Sequence, residues 1–173
     1  MKIQLKPFMA CYLMLNEAEL NFNMKPERLG SRNHWSTEVL LDANIFLEAE
    51  LAEMHGPACK QLLEKVRDGE IKAAITDFHV DSIVIVMEKY GKEWSDIGLF
   101  LASLLRYRGL RIYPLSLVSR IKATSFMKTY GLNFDDALAV QALRELSANM
   151  IVSYDEDFNS IEWIERRTPE DLL

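Results

Sequence analysis

The stretch Asn133-Phe-Asp-Asp-Ala-Leu-Ala-Val-Gln-Ala-Leu-Arg-Glu-Leu-Ser-Ala-Asn-Met-Ile-Val-Ser-Tyr-Asp155 sets two structural patterns end to end. Asp136 to Ala148 reads as a helix, and Met150-Ile151-Val152 is a short apolar run suited to a strand. So little chain separates them that the helix must run back toward the strand's start. Its first turn, with Asp136, therefore lies level with the far, carboxyl end of the strand. Asp155 follows that same end. Two acids from opposite ends of this stretch are brought to one edge.

The same alternation extends upstream from Glu38. Val39-Leu40-Leu41 reads as a strand with Asp42 after it, and Cys59 to Asp68 as a helix with Leu62, Leu63 and Val66 on one face. Ile71 to Ile75 is a second strand, followed by Thr76-Asp77, a helix-capping pair. Phe78 to Tyr90 is a helix apolar on most sides, which implies burial on two faces or a partner surface. Ser95 to Tyr107 and Leu117 to Tyr130 are further helices, with a third strand from Leu110 to Leu115 between them. Ile161 to Ile164 is read as a short fifth strand. Strands alternating with helices predict an α/β fold, three-layer α/β/α, around a central parallel sheet of four to five strands.

In an open parallel sheet, ligands bind at the carboxyl ends of the strands. Asp42, Asp77, Asp81, Asp136, Asp155 and Asp157 all fall at that edge in this reading. Gathered carboxylates repel one another and lose solvation, so such a group either protonates or binds cations. Mg²⁺ and Mn²⁺ are hard ions that prefer oxygen donors. A site of this kind orients a phosphate ester and activates water. Each acid also has a plain structural reading. Asp77 is most simply a helix cap, Asp136 a first-turn acid behind the capping residue Asn133, and Asp155-Glu156-Asp157 a solvated turn. Asp42 is harder to explain that way, because an acid closing an apolar strand needs a partner. His34, His55 and His79 lack metal-ligand spacing and read as incidental, and Trp35, Trp94 and Trp163 as packing residues.

Charge adds a second line. The 173 residues carry a net charge of −6, which by itself argues against a nucleic-acid partner. Yet Ile97 to Phe134 contains no acid and holds Arg106, Arg108, Arg111, Arg120, Lys122 and Lys128. That basic window is either a solvated surface or a track for phosphates. With 49% hydrophobic residues the chain is neither disordered nor collagen-like. Two cysteines, Cys11 and Cys59, exclude a disulfide scaffold and suit a reducing cytosol, so a cytoplasmic location is expected. No apolar run is long enough to span a membrane. Residues 1–36 read as an N-terminal extension without a motif, and residues 37–173 as the domain.

Three segments resemble the PIN domain family. Val39-Leu-Leu-Asp-Ala-Asn-Ile-Phe46 is similar to its opening strand. Asn133-Phe-Asp-Asp-Ala-Leu-Ala-Val140 resembles its third acidic motif. Ile151-Val-Ser-Tyr-Asp-Glu-Asp-Phe158 resembles its closing motif. The resemblance covers Glu38 to about Ile164. It implies a Mg²⁺- or Mn²⁺-dependent endoribonuclease, many relatives being the VapC-like toxins of toxin–antitoxin pairs. Carried over by motif, Asp42, Asp136 and Asp155 are metal ligands and catalytic residues, Ser153 and Asn44 support them, and Asp157 is an auxiliary acid. The basic window would hold the RNA backbone, and a homodimer or an antitoxin would cover the apolar helix. A catalytically weak binding module is the alternative, because Ser82 stands where the family's second motif carries Glu. Asp81 is the acid that would replace it, one residue earlier on the helix and so rotated by about 100°. A phospho-acceptor receiver would want paired acids early and a lysine near the last strands, and a dehalogenase-type phosphatase would want Asp where Asn44 stands.

Overall fold

The structure, a computed structural model, describes residues 39–173. The extension expected over residues 1–36, with His34, Trp35 and Cys11, lies outside the described residues. The element order is β1 (Val39–Leu41), α1 (Ala43–Glu50), α2 (Gly56–Asp68), β2 (Ala73–Thr76), α3 (Asp77–Lys89), α4 (Trp94–Leu104), β3 (Leu110–Tyr113), α5 (Leu117–Tyr130), α6 (Phe134–Leu146), β4 (Met150–Val152) and β5 (Glu165–Arg167). Short 3-10 turns at Glu156–Ser160 and Pro169–Leu172 flank β5.

All strand pairs are parallel, in the order β3-β2-β1-β4-β5. The central strands are buried on both faces, and alternate residues feed opposite layers. Val39, Leu41, Ala73, Ile75 and Val152 point into one core, with α1, α2, α3 and α4. Leu40, Ala74 and Ile151 point into the other, with α5 and α6. This period-two division is what a sheet covered by helices on both faces requires. The expected three-layer fold is the one observed.

Several element ends shift by a few residues from the sequence reading, and three differences bear on the site and its sheet. α1 has no counterpart in the sequence pattern: Asp42 reads as the end of a strand, and the helix begins directly after it. The fifth strand is Glu165–Arg167, and Ile161 and Ile164 are instead buried core anchors just before it. The helix cap before α3 is Thr76, whose hydroxyl oxygen accepts the His79 amide at 3.1 Å, so Asp77 is released for other contacts.

At the amino edge of the sheet, Gly109 passes between the end of α2 and the start of β2. A Cβ there would lie 2.2 Å from the Ile71 carbonyl and 2.5 Å from that of Val66, so only glycine fits. This close approach fixes where β3 enters and which edge its preceding loop occupies.

Candidate functional site

The carboxyl edge of β1, β2 and β4 gathers the acids. Asp42 follows β1 and stands at the N-cap of α1, but its carboxylate makes no helix-capping bond. It is turned toward β4 instead. Asn44 Nδ2 donates to Asp42 Oδ2 at 2.7 Å and to Ser153 Oγ at 2.9 Å. Ser153 Oγ donates to Asp42 Oδ2 at 2.5 Å and accepts the Asp155 amide at 3.0 Å. Asp155 Oδ1 in turn accepts the Asp157 amide at 2.8 Å. One fully buried serine hydroxyl therefore links the acid after β1 to the loop after β4.

Asp136 enters from the first turn of α6, as the short connection to β4 demands. Its N-cap, Asn133, makes no side-chain capping bond. Carboxylate oxygens of Asp136, Asp155 and Asp157 lie within 4.8 Å of one another, the only such group among the described residues. Burial, followed by the charges of Asp135, Asp42, Asp155 and Asp157, pushes the Asp136 carboxyl up to about 7. Asp42 is also raised, first by burial and in smaller part by Asp155, while the neighbouring His79 acts in the opposite sense.

His79 differs from the sequence expectation of an incidental residue. It is buried on α3, its Nδ1 lies 2.5 Å from Thr76 Oγ1, and burial holds its pKa below the usual histidine value against the pull of Asp42. The signal for it was positional: it is the one histidine on the helix that leaves the carboxyl end of β2. His55 is stacked on Tyr154 with ring centroids 4.1 Å apart.

Asp81 is exposed on α3, and Ser82 beside it is half-buried. The acid of α3 that makes tertiary contacts is Asp77: it accepts the Leu115 amide at 3.1 Å and pairs with Arg120 at 3.5 Å. Arg120 also lies over the Phe78 ring, which meets Phe134 edge to face. Of the basic window, Arg120 alone is tied to this edge by such contacts among the described residues. Arg106 and Arg108 lie on the loop entering β3, where the Arg108 amide donates to the Arg67 carbonyl at the end of α2, the opposite edge of the sheet. Arg111 lies on the edge strand β3 over the Tyr113 ring, and Lys122 and Lys128 are exposed on α5. Trp94 is 85% exposed and does not pack in the core.

The donor set is all oxygen, as a hard divalent cation requires. Asn44 Oδ1 is a further buried oxygen acceptor, without a hydrogen-bond partner, next to Asp42. Mutually repelling carboxylates and an unmet neutral oxygen are groups that a cation would relieve, so the residues present fit one.

A doubly covered parallel sheet with carboxylates converging at its carboxyl edge defines an α/β protein with an acidic site of cation-binding chemistry. The sequence profile of the PIN domain matches residues 39–164, and the chain belongs to the PIN domain family. No curated protein matches the sequence. Among solved structures, the fold is similar to the toxin VapC20 of Mycobacterium tuberculosis, which cleaves the sarcin–ricin loop, with a TM-score of 0.62 at 11% identity over 75% of this chain and 99% of that one. It is similar to a toxin–antitoxin complex from Klebsiella pneumoniae, with a TM-score of 0.57 at 19% identity over 76% and 98% of the two chains. It is also similar to FitAcB of Neisseria gonorrhoeae, with a TM-score of 0.54 at 14% identity over 76% and 98%. Among the described residues, no helix is long and apolar enough to cross a membrane.

Proposed function

We propose that the protein is a Mg²⁺- or Mn²⁺-dependent endoribonuclease that hydrolyses phosphodiester bonds and acts as the toxin of a toxin–antitoxin pair. The observation that carries the reading is the convergence of Asp136, Asp155 and Asp157 within 4.8 Å, with Asp42 coupled to them through Ser153. Membership of the PIN domain family supports the nuclease chemistry, and the toxin and toxin–antitoxin neighbours support the biological setting.

Asp136, Asp155 and Asp157 hold the cation, and Asp42 faces them across the Ser153 hydroxyl. When bound, a divalent cation supplies an activated water and charge stabilisation for a phosphoryl centre. Asn44 and Ser153 orient Asp42. His79 is a buried neighbour of Asp42 whose own protonation burial disfavours. Arg120, fixed by Asp77 and Phe78, presents a cation to the RNA backbone at the rim of the site. Ser82 and the exposed Asp81 favour the second reading, a catalytically weak RNA- or protein-binding module, because the second motif then brings no acid to the cluster.

Exposed Trp94, Leu99, Leu101 and Leu105 on and just after α4 support a partner face, for a homodimer or an antitoxin. The deciding experiment is cleavage of pooled single-stranded RNA with Mn²⁺ by the wild type, Asp42→Asn and Asp136→Asn. Cleavage by the wild type alone is expected. Equal cleavage by all three would overturn the site. Absence of both cleavage and Mn²⁺ binding would favour the weak module.

A further inference from the structure

We infer that Arg166, on the edge strand β5, is a positioning residue for the loop that presents Asp155 and Asp157. The inference rests on the metal-site reading above and adds to it a residue that no motif marks.

After Val152 the chain leaves the sheet. The Ser153 amide still makes a ladder-like bond, donating to the Arg167 carbonyl at 3.0 Å, but beyond it β4 has ended. The Ser153 carbonyl therefore needs a donor from elsewhere. Arg166 Nη1 supplies it at 3.0 Å, and Arg166 Nε donates to Asn159 Oδ1 at 2.9 Å. One guanidinium thus grips the loop just before Tyr154 and again at Asn159, on either side of Asp155 and Asp157. Between these two points the loop is held by the buried Phe158 ring and by the successive bonds from Ser153 to Asp155 to Asp157.

Both acceptors are neutral oxygens, so these two bonds leave the carboxylates free for a cation. The planar guanidinium can serve two acceptors in fixed directions, which the single ammonium of lysine cannot reproduce. Outer groups of this kind, which fix the residues that touch a metal, alter affinity by about tenfold or more when removed.

The test compares full-length wild type, Arg166→Ala, Arg166→Lys, and Arg166→Ala with low-millimolar guanidinium, by calorimetric Mn²⁺ binding and by amide hydrogen exchange without metal. Arg166→Ala is expected to weaken Mn²⁺ binding by about tenfold and to speed exchange at the Asp155 and Asp157 amides. Lysine fails to restore either, and guanidinium restores both. Wild-type behaviour of Arg166→Ala, or full restoration by lysine, would overturn the inference, the latter because charge alone would then suffice. If the wild type takes up no Mn²⁺, the metal reading fails, and the exchange rates still decide the role of Arg166. If Arg166→Ala does not fold, Asn159→Ala removes one of the two grips. Faster exchange at Asp157 is then expected, and an unchanged rate would overturn the inference.

Discussion

Ser153 Oγ reaches Asp42 Oδ2 at 2.5 Å across 111 positions of sequence, and the same hydroxyl oxygen accepts the Asp155 amide. Because β1 and β4 are adjacent and parallel, with Leu41 opposite Val152, the residues that follow them must exit side by side. The hydroxyl is the physical joint between the first and last acidic segments.

Ser153→Ala removes that joint and leaves a buried carboxylate and a loop amide short of a partner. A loss of about 1–3 kcal/mol in urea unfolding is expected, with Mn²⁺ affinity reduced about tenfold. Unchanged values on both measures would mean that the hydroxyl is incidental.

Asp136 gives a pH signature. Its folded-state pKa of about 7 lies above the usual aspartate value, so the native state keeps a proton that the unfolded chain has already released. The metal-free protein therefore loses stability as pH rises from about 4 to 7. Asp136→Asn removes this contribution to the slope and is expected to be the more stable protein at pH 8 in EDTA by up to about 4 kcal/mol. The two should converge near pH 4, where the carboxyl is protonated. Parallel stability curves would show that the carboxyl titrates normally.

The acids should separate by function. Asp42→Asn, Asp136→Asn and Asp155→Asn are each expected to cut Mn²⁺-dependent RNA cleavage about a hundredfold. Asp81→Asn, on an exposed face of α3, should stay within about twofold. A large loss at Asp81 would place the second motif back in the site.

The basic window should separate too. Arg120→Ala is expected to weaken RNA binding by about 1 kcal/mol and to lower the salt dependence by about one counterion. Arg106→Ala and Arg108→Ala, at the opposite edge of the sheet, should leave binding unchanged. Equal effects from all three in a filter-binding series would imply a long track running around the sheet.

Leu105 is 87% exposed just past α4. Leu105→Glu is expected to shift sedimentation toward a smaller species while changing stability by no more than about 0.5 kcal/mol. An unchanged sedimentation coefficient would remove this face as a self-association surface.

The parallel α/β architecture could be read from local patterns, because doubly buried strands and helices punctuate the chain distinctly. The convergence of Asp42, Asp136 and Asp155 could also be argued, since strand ends and a short helix–strand connection leave little topological freedom. α1 was missed because Asp42 ends a strand and caps a helix with no residue between them. His79 and Arg166 were hidden for a different reason: their roles depend on partners that no local pattern marks.

The sequence by itself determined the alternation of strands and helices, apart from α1 and the position of β5, and the arrival of Asp42, Asp136 and Asp155 at the carboxyl edge, because periodicity and chain connectivity dictate those outcomes. Only the tertiary structure decided which of these groups are coupled. It put Asp157 with Asp136, left Asp81 in solvent, tied Arg120 to Asp77 and sent Arg106 and Arg108 to the far edge. Side-chain direction around a helix and distance between separate elements are set by packing, and a difference of one residue is enough to turn a carboxylate from the site to solvent.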